Sequence, residues 1–309
     1  MAESRRIKQV VRSRATIEGA GVRLHRAIGF GSPETYDPFL LLDDFRSDNT
    51  EDYLRGFPWH PHRGMETITY VLAGEVEHGD SLGNRGVTGP GDVQWMTAGN
   101  GIIHQEMPKG DAMGSMHGFQ LWANLPAASK MMEPRYRGVL SKDIPSVTDA
   151  GGSTIRVIAG SAGGVTGPVR DVVTSPEYLD VTVPAGATFK HSTPRGHTAF
   201  AYVIGGKGVF CGEGDPYDYE IVADNYVETK RERLIGNRNL VHFTDGDSVT
   251  VSAEAEPVRF LLVSGRPIGE PIAWYGPIVM NTQDELRVAF EELERNTFIK
   301  HQTGAKKGS

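Results

Sequence analysis

The chain has 309 residues, 39% of them apolar and 23% charged, with a formal net charge of -7 at pH 7. That length allows one large domain or two ordinary ones, the acidic balance argues against direct nucleic-acid binding, which needs clustered Lys and Arg, and no apolar run reaches the roughly 18–20 residues of a membrane span. The opening MAESRRIKQVVRSRA has no apolar stretch behind its basic residues, so no export signal is expected, and a single cysteine, Cys211, fits a reducing cytoplasm.

Read in chain order, Arg5, Arg6 and Lys8, like Lys306 and Lys307 at the other end, are expected to be solvated tails. Short runs rich in Val, Ile, Tyr and Phe predict strands at 66–72, 93–97, 118–123, 155–159, 178–183, 199–204, 208–211, 240–243, 248–252 and 258–263. With 38 Gly and 18 Pro scattered between them, the pattern is all-β, a sandwich or barrel. Near the end, NTQDELRVAFEELERNTF predicts a helix. Thr282 and Glu285 have capping-box spacing, and Leu286, Ala289, Phe290 and Leu293 share a face that should pack on a sheet.

YVLAG at Tyr70–Gly74 recurs as YVIGG at Tyr202–Gly206, and PGDVQWM at Pro90–Met96 has a weaker echo in DGDSVTV at Asp245–Val251. A strand–turn–strand unit repeated in this way predicts two similar barrels in tandem. The polar stretch LSKDIPSVTDAGGST interrupts the strand pattern. It divides the chain into a first barrel at 1–140, a linker at 141–154 and a second barrel at 155–309 that ends in the helix and a polar tail. A charged segment at 212–239 is expected to be a surface excursion, with partner binding as the alternative.

His60 and His62 are two positions apart in FPWHPHRGMETITYVLAGEVEH, so an extended strand points both to one face. Glu66 would share that face, with Ile68, Tyr70 and Leu72, if no kink intervened at Arg63-Gly64; Thr67 and Thr69 would take the other. His104 and Glu106 repeat the spacing after a turn at Gly99, Asn100 and Gly101. Three imidazoles and a carboxylate in two short clusters suit a first-row transition metal. The other histidines, His25, His78, His117, His191, His197, His242 and His301, are expected to be exposed or bonded to backbone, with His117 the best candidate for a supporting role. Cys211 reads as a small buried hydrophobe. Aligning the echoes sets Ser192 and Pro194 opposite His60 and His62, and Arg259 and Leu261 opposite His104 and Glu106. One metal per chain is therefore expected.

At these residues the sequence resembles the cupin superfamily and, within it, the pirin family. DPFLLLDDF, GFPWHPHRGMETITYVLAGEVEH, GDVQWMTAGNGIIHQEMP, HGFQLWANLP and GEPIAWYGPIVMNTQDEL are similar to pirin segments and occur in pirin order from residue 37 to 286. The histidine spacing of the second cupin motif is stretched in TAGNGIIHQEM, and the 212–239 segment is longer than its pirin equivalent. The resemblance implies two cupin jelly-roll barrels in tandem, a bicupin, with the C-terminal helix. It implies metal ligands at His60, His62, His104 and Glu106, with Glu66 in the usual cupin carboxylate slot but not a pirin ligand. The N-terminal barrel would hold one non-haem iron, other divalent transition metals being alternatives, and the C-terminal barrel none.

The activity so implied is that of an iron-dependent quercetin 2,3-dioxygenase, an oxidoreductase that cleaves a flavonol with O2 and releases carbon monoxide. Four protein ligands on an octahedral ion leave about two positions for substrate and O2, and Glu106 would be the catalytic residue that accepts the flavonol hydroxyl proton. The alternative is a non-enzymatic, iron-dependent redox-sensing regulator that binds transcriptional or metabolic protein partners.

Overall fold

A computed structural model of the chain describes residues 3–31, 33–212, 218–222 and 232–300. It divides into two compact units. One, the N-terminal unit, joins Ala15–Ser141 to Ile268–Ser309; the other, the C-terminal unit, joins Lys142–Pro267 to Met1–Arg14. The units have therefore exchanged their ends relative to the boundaries expected from sequence, for two physical reasons.

The first is a strand hidden in the basic N-terminus. Ile7–Arg12 pairs antiparallel with Asn239–Phe243 and parallel with Glu220–Val222, and its Ile7 and Val10 enter the core of the C-terminal unit. Arg5 is no solvated tail: it is only 1% exposed. Its guanidinium donates to Thr193 Oγ1 at 2.7 Å and to the Thr244 and Pro194 carbonyls at 2.8 Å. A buried guanidinium is tolerable when its hydrogens find acceptors in this way. Lys306 and Lys307 lie outside the described residues.

The second reason is the helix. Gln283–Glu294 is helical and opens on the expected capping box between Thr282 and Glu285. Its buried Leu286 and Ala289 pack with Ala273, Ile278, Met280 and Phe298, and Ile103 of the N-terminal unit lies against the same cluster. The helix docks as expected, but on the N-terminal unit.

Two larger sheets and the small hairpin of Ala273–Tyr275 with Ile278–Met280 build the described part of the N-terminal unit. The larger has seven strands in the order Arg135–Val139, Val93–Thr97, Met65–Ala73, His117–Asn124, Phe39–Asp44, Val22–Ile28 and Arg14–Glu18; the smaller runs Phe57–His62, Ile102–Lys109, Glu75–Asp80 and Arg85–Thr88. Side chains of the two sheets meet directly, since Thr69 and Gln94 on the larger bond Glu106 on the smaller. Between the histidine strand and Met65–Ala73 the chain changes sheet at Gly64, where φ is +77° and a Cβ would lie 1.9 Å from the Val279 carbonyl oxygen. Only glycine fits there.

In the C-terminal unit, Thr198–Phe210 pairs with Asn239–Phe243 and with Val258–Gly265, which in turn pairs with Glu177–Val183, while Thr188–Ser192 pairs with Ser248–Ser252. Strand for strand this repeats the other unit. YVLAG and YVIGG fall on corresponding strands, as expected. PGDVQWM and DGDSVTV do not: the counterpart of Val93–Thr97 is Asn239–Phe243, one strand earlier.

Of the 212–239 segment, residues 213–217 and 223–231 lie outside the described residues. Glu220–Val222 and Ile235–Gly236 each add a short strand to the C-terminal unit. No helix among the described residues is long and apolar enough to cross a membrane.

Candidate metal centre

The strand Phe57–His62 presents His60 and His62, and its antiparallel neighbour Ile102–Lys109 sets His104 opposite His60. Alternation does the rest. Ile102, His104, Glu106 and Pro108 are buried while the residues between them are more exposed, so one run of period two points an imidazole and a carboxylate inward. The three imidazoles can offer one ligand atom each with all of these atoms within 4.8 Å of one another, and their ring centroids are 4.4–4.9 Å apart.

Hydrogen bonds fix two of the three tautomers. His60 Nδ1 lies 2.8 Å from the Pro58 carbonyl and His62 Nδ1 lies 3.1 Å from the Pro277 carbonyl. A carbonyl only accepts, so each Nδ1 carries hydrogen and each neutral ring turns a bare Nε2 lone pair inward. The two Nε2 atoms then face each other at 3.0 Å. His104 is fully buried, and neither of its ring nitrogens has a hydrogen-bond partner. Two opposed lone pairs beside an orphaned, buried imidazole form a set of donors with no proton to share, and such groups ask for an explanation. Burial pushes all three imidazoles below their ordinary range, His62 and His104 well below it. Neutral imidazoles of this kind suit Zn, Cu, Fe or Ni, so the residues present fit a transition metal.

Glu106 lies two residues beyond His104 on the same face and is 3% exposed. Its Oε1 accepts from Thr69 Oγ1 at 2.7 Å and Gln94 Nε2 at 3.1 Å, and its Oε2 accepts from Gln120 Nε2 at 2.7 Å. It is not part of the three-histidine group. Glu66 points elsewhere: Thr97 Oγ1 donates to it at 2.6 Å, and burial raises its pKa. The kink at Arg63-Gly64 does intervene, so the parity expected for the following strand is reversed. Thr69 faces the histidine side.

Several residues around the centre were not singled out from sequence. Gln94, Gln120 and Thr69 fix the Glu106 carboxylate. Trp122 meets the His62 ring edge-on at 5.1 Å and donates to Gln120 Oε1 at 2.8 Å. His78, rather than His117, is the supporting histidine: its ring stands 5.4 Å from that of His104, stacks on Tyr136 and bonds Asp80 Oδ2 at 3.1 Å. The His78–Asp80 pair at i, i+2 was a readable signal. His117 instead bonds Asp48, itself 76% exposed, well within the solvated surface. His191 bonds the Glu177 carboxylate rather than backbone, and His301 lies outside the described residues.

A cavity of about 410 Å³ opens onto His60 and His62. Leu41, Phe57, Pro58, Trp122 and Pro277 give it apolar walls, while Glu18, Arg26, Asp43 and Gln120 supply its polar groups. This size and mixture are usual for a small-molecule site.

Comparison with known proteins agrees with this architecture. The pirin family model matches residues 21–123, and that of the pirin C-terminal cupin domain matches residues 178–299. A pirin-like protein of Caulobacter vibrioides is 42% identical over 295 residues, which cover 95% of this chain and 99% of that one. Pirin of Homo sapiens is 38% identical over 308 residues, 98% of each chain. Among solved structures, a quercetin 2,3-dioxygenase from Acinetobacter baumannii superposes with a TM-score of 0.79 at 31% identity, covering 96% of this chain and 98% of that one.

Proposed function

The chain belongs to the pirin family and has its bicupin fold, and from this premise we propose that it is a metal-dependent dioxygenase of the quercetin 2,3-dioxygenase type, acting on a flavonol-like substrate with O2 in the cytoplasm. In this reading iron is held by His60, His62, His104 and Glu106. When bound, the metal supplies the Lewis acid and one-electron partner that O2 chemistry needs. One observation carries the reading: bare imidazole nitrogens converge where an apolar-walled cavity of about 410 Å³ meets His60 and His62.

The protein's own groups would divide the remaining work. The Nδ1 bonds of His60 and His62 to backbone carbonyls hold both rings in the tautomer that ligates. Leu41, Phe57 and Trp122 exclude water from the flat rings of the substrate. Glu106 takes the proton of the flavonol hydroxyl at a carboxylate oxygen, with Thr69 and Gln94 holding its Oε1 in place and Gln120 its Oε2. The Trp122–Gln120–Glu106 chain of hydrogen bonds couples the cavity wall to the proton acceptor.

Protein loaded with ferrous iron, incubated with quercetin in air, should bleach the flavonol absorbance and release one carbon monoxide per flavonol lost. Stoichiometric iron with no loss of flavonol would overturn the enzymatic reading and leave that of an iron-dependent regulator.

A further inference from the structure

The outer wall of the cavity carries a cluster that metal binding does not use. Arg26 donates from Nε and Nη2 to both oxygens of Asp43, at 2.8 and 2.7 Å, and from Nη1 to Glu18 Oε1 at 2.8 Å. Among the described residues lining the cavity, Arg26 is the one Lys or Arg. Its single positive charge faces two carboxylates, so the cluster is left with about one net negative charge. Glu18, 39% exposed at its side chain, keeps its second oxygen for an incoming donor. The neighbouring surface is aromatic: the Arg26 guanidinium lies 5.6 Å over the ring of Phe30, which rests against Trp274 at 4.2 Å, the two rings tilted by 32°. Phe30 is half exposed, which leaves ring surface on which a flat aromatic ligand can stack.

From this geometry we infer that the Glu18–Arg26–Asp43 cluster is a specificity element that accepts hydroxyl groups at the far end of a flat aromatic ligand and turns away aromatic carboxylates. The inference rests on the proposed function in taking a flavonol-like ring system as the occupant, and adds which substituents that ring system carries. A phenolic hydroxyl arriving beside Glu18 gives its hydrogen to an acceptor that has no other donor. A carboxylate arriving there meets two like charges and a guanidinium whose charge is already neutralised. Had the site evolved for an aromatic acid, a free cation would be the expected partner.

Binding reads this out without turnover. The full chain loaded with Zn2+, which has no redox chemistry, is titrated with a polyhydroxylated flavone and with a flavone carboxylate of the same ring system, following tryptophan fluorescence. The wild type should prefer the hydroxylated flavone. Glu18→Gln should narrow that preference by about two- to fivefold, the scale of a partly exposed charge, and Glu18→Lys should narrow it further. Because the metal's attraction for a carboxylate is common to all three proteins, the change between them isolates the cluster. A ratio of the two affinities that neither Glu18→Gln nor Glu18→Lys changes would overturn the inference. If quercetin is never turned over but the preference follows Glu18, the dioxygenase reading falls and the specificity element stands.

Discussion

Two strand pairs with one topology face opposite fates in this chain. In the N-terminal unit, Phe57–His62 on Ile102–Lys109 carries His60, His62, His104 and Glu106 inward. In the C-terminal unit, Thr188–Ser192 on Ser248–Ser252 sets Phe189 opposite Val251 and His191 opposite Val249. Phe189, Phe210 and Phe260 then fill the interior edge to face, with ring centroids 5.6–5.9 Å apart. The comparison teaches that the barrel tolerates either interior. One keeps bare imidazoles and a cavity; the other closes over apolar side chains. Among the described residues, the His60, His62 and His104 group is the one cluster of three or more potential metal ligands.

The sharpest way to break the comparison is to remove a proposed ligand. His104→Ala should abolish metal binding altogether, because the imidazole most completely enclosed has no substitute within reach, whereas His191→Ala should leave metal content unchanged. Elemental analysis of both purified variants checks it, and full metal on His104→Ala would refute the site. The reciprocal change tests the packed barrel. Phe260→Ala removes a ring that touches both Phe189 and Phe210, and should cost about 3–5 kcal/mol of stability with no loss of metal, as read from denaturant unfolding and metal content together.

Much of this contrast was legible in the sequence, because both the strand pattern and the His-x-His and His-x-Glu pairs obey the period of an extended chain. What escaped had a physical reason in each case. Glu75–Asp80 was missed because its run EVEHGD is polar, although the strand is mostly buried; its polar atoms are paid for by partners such as Asp80 for His78. Ile7–Arg12 was missed because flanking basic residues mask two core positions. The turn of the chain at Gly64 depends on the Val279 carbonyl, more than two hundred positions away, so the reversed facing of Thr69 and Glu66 could not be read locally. The second echo misled because Gly-Asp turns precede many strands. It therefore compared Arg259 and Leu261 with His104 and Glu106, although Arg259 in fact bonds Asp180.

The two buried glutamates sharpen the comparison within the N-terminal unit. Glu106→Gln keeps the shape but removes the basic oxygen, and turnover of quercetin should fall by about 10²-fold or more. Glu66→Gln changes a carboxylate that bonds Thr97 instead of facing the histidines, so its effect on turnover should be well below that. Loss of metal on Glu66→Gln, with metal and activity kept on Glu106→Gln, would reverse the assignment of ligands.

Acid should unsettle the histidine-bearing interior in a smaller but measurable way. Folding holds His62 and His104 neutral by burying them, so their folded pKa values lie below those of the unfolded chain. The unfolded state then binds more protons at low pH, and stability is present above about pH 6.5 and lost as pH falls below it. For metal-stripped protein the loss between pH 7 and pH 6 should be on the order of 1–2 kcal/mol for these two histidines together. Denaturant unfolding at the two pH values, on the wild type and on a His62→Gln variant, reads it; a variant with undiminished pH dependence would show that the effect arises elsewhere.

The smallest effect decides to which unit the C-terminal helix contributes its stability. Thr282 Oγ1 accepts from the Glu285 backbone and the Glu285 carboxylate accepts from the Thr282 backbone, so two otherwise unpaired donors are satisfied at the helix start. Thr282→Ala removes one of these bonds and should cost about 1 kcal/mol. Since the helix buries Leu286 and Ala289 against residues of the N-terminal unit, that loss should appear in the unfolding of the N-terminal barrel and, on the proposed function, in an easier loss of metal on heating. Unfolding of the aromatic barrel, followed through hydrogen exchange of the Val258–Gly265 amides, should be unaffected. A shift confined to those amides would mean that the helix stabilises the other barrel, and the exchange of chain ends between the units would have to be redrawn.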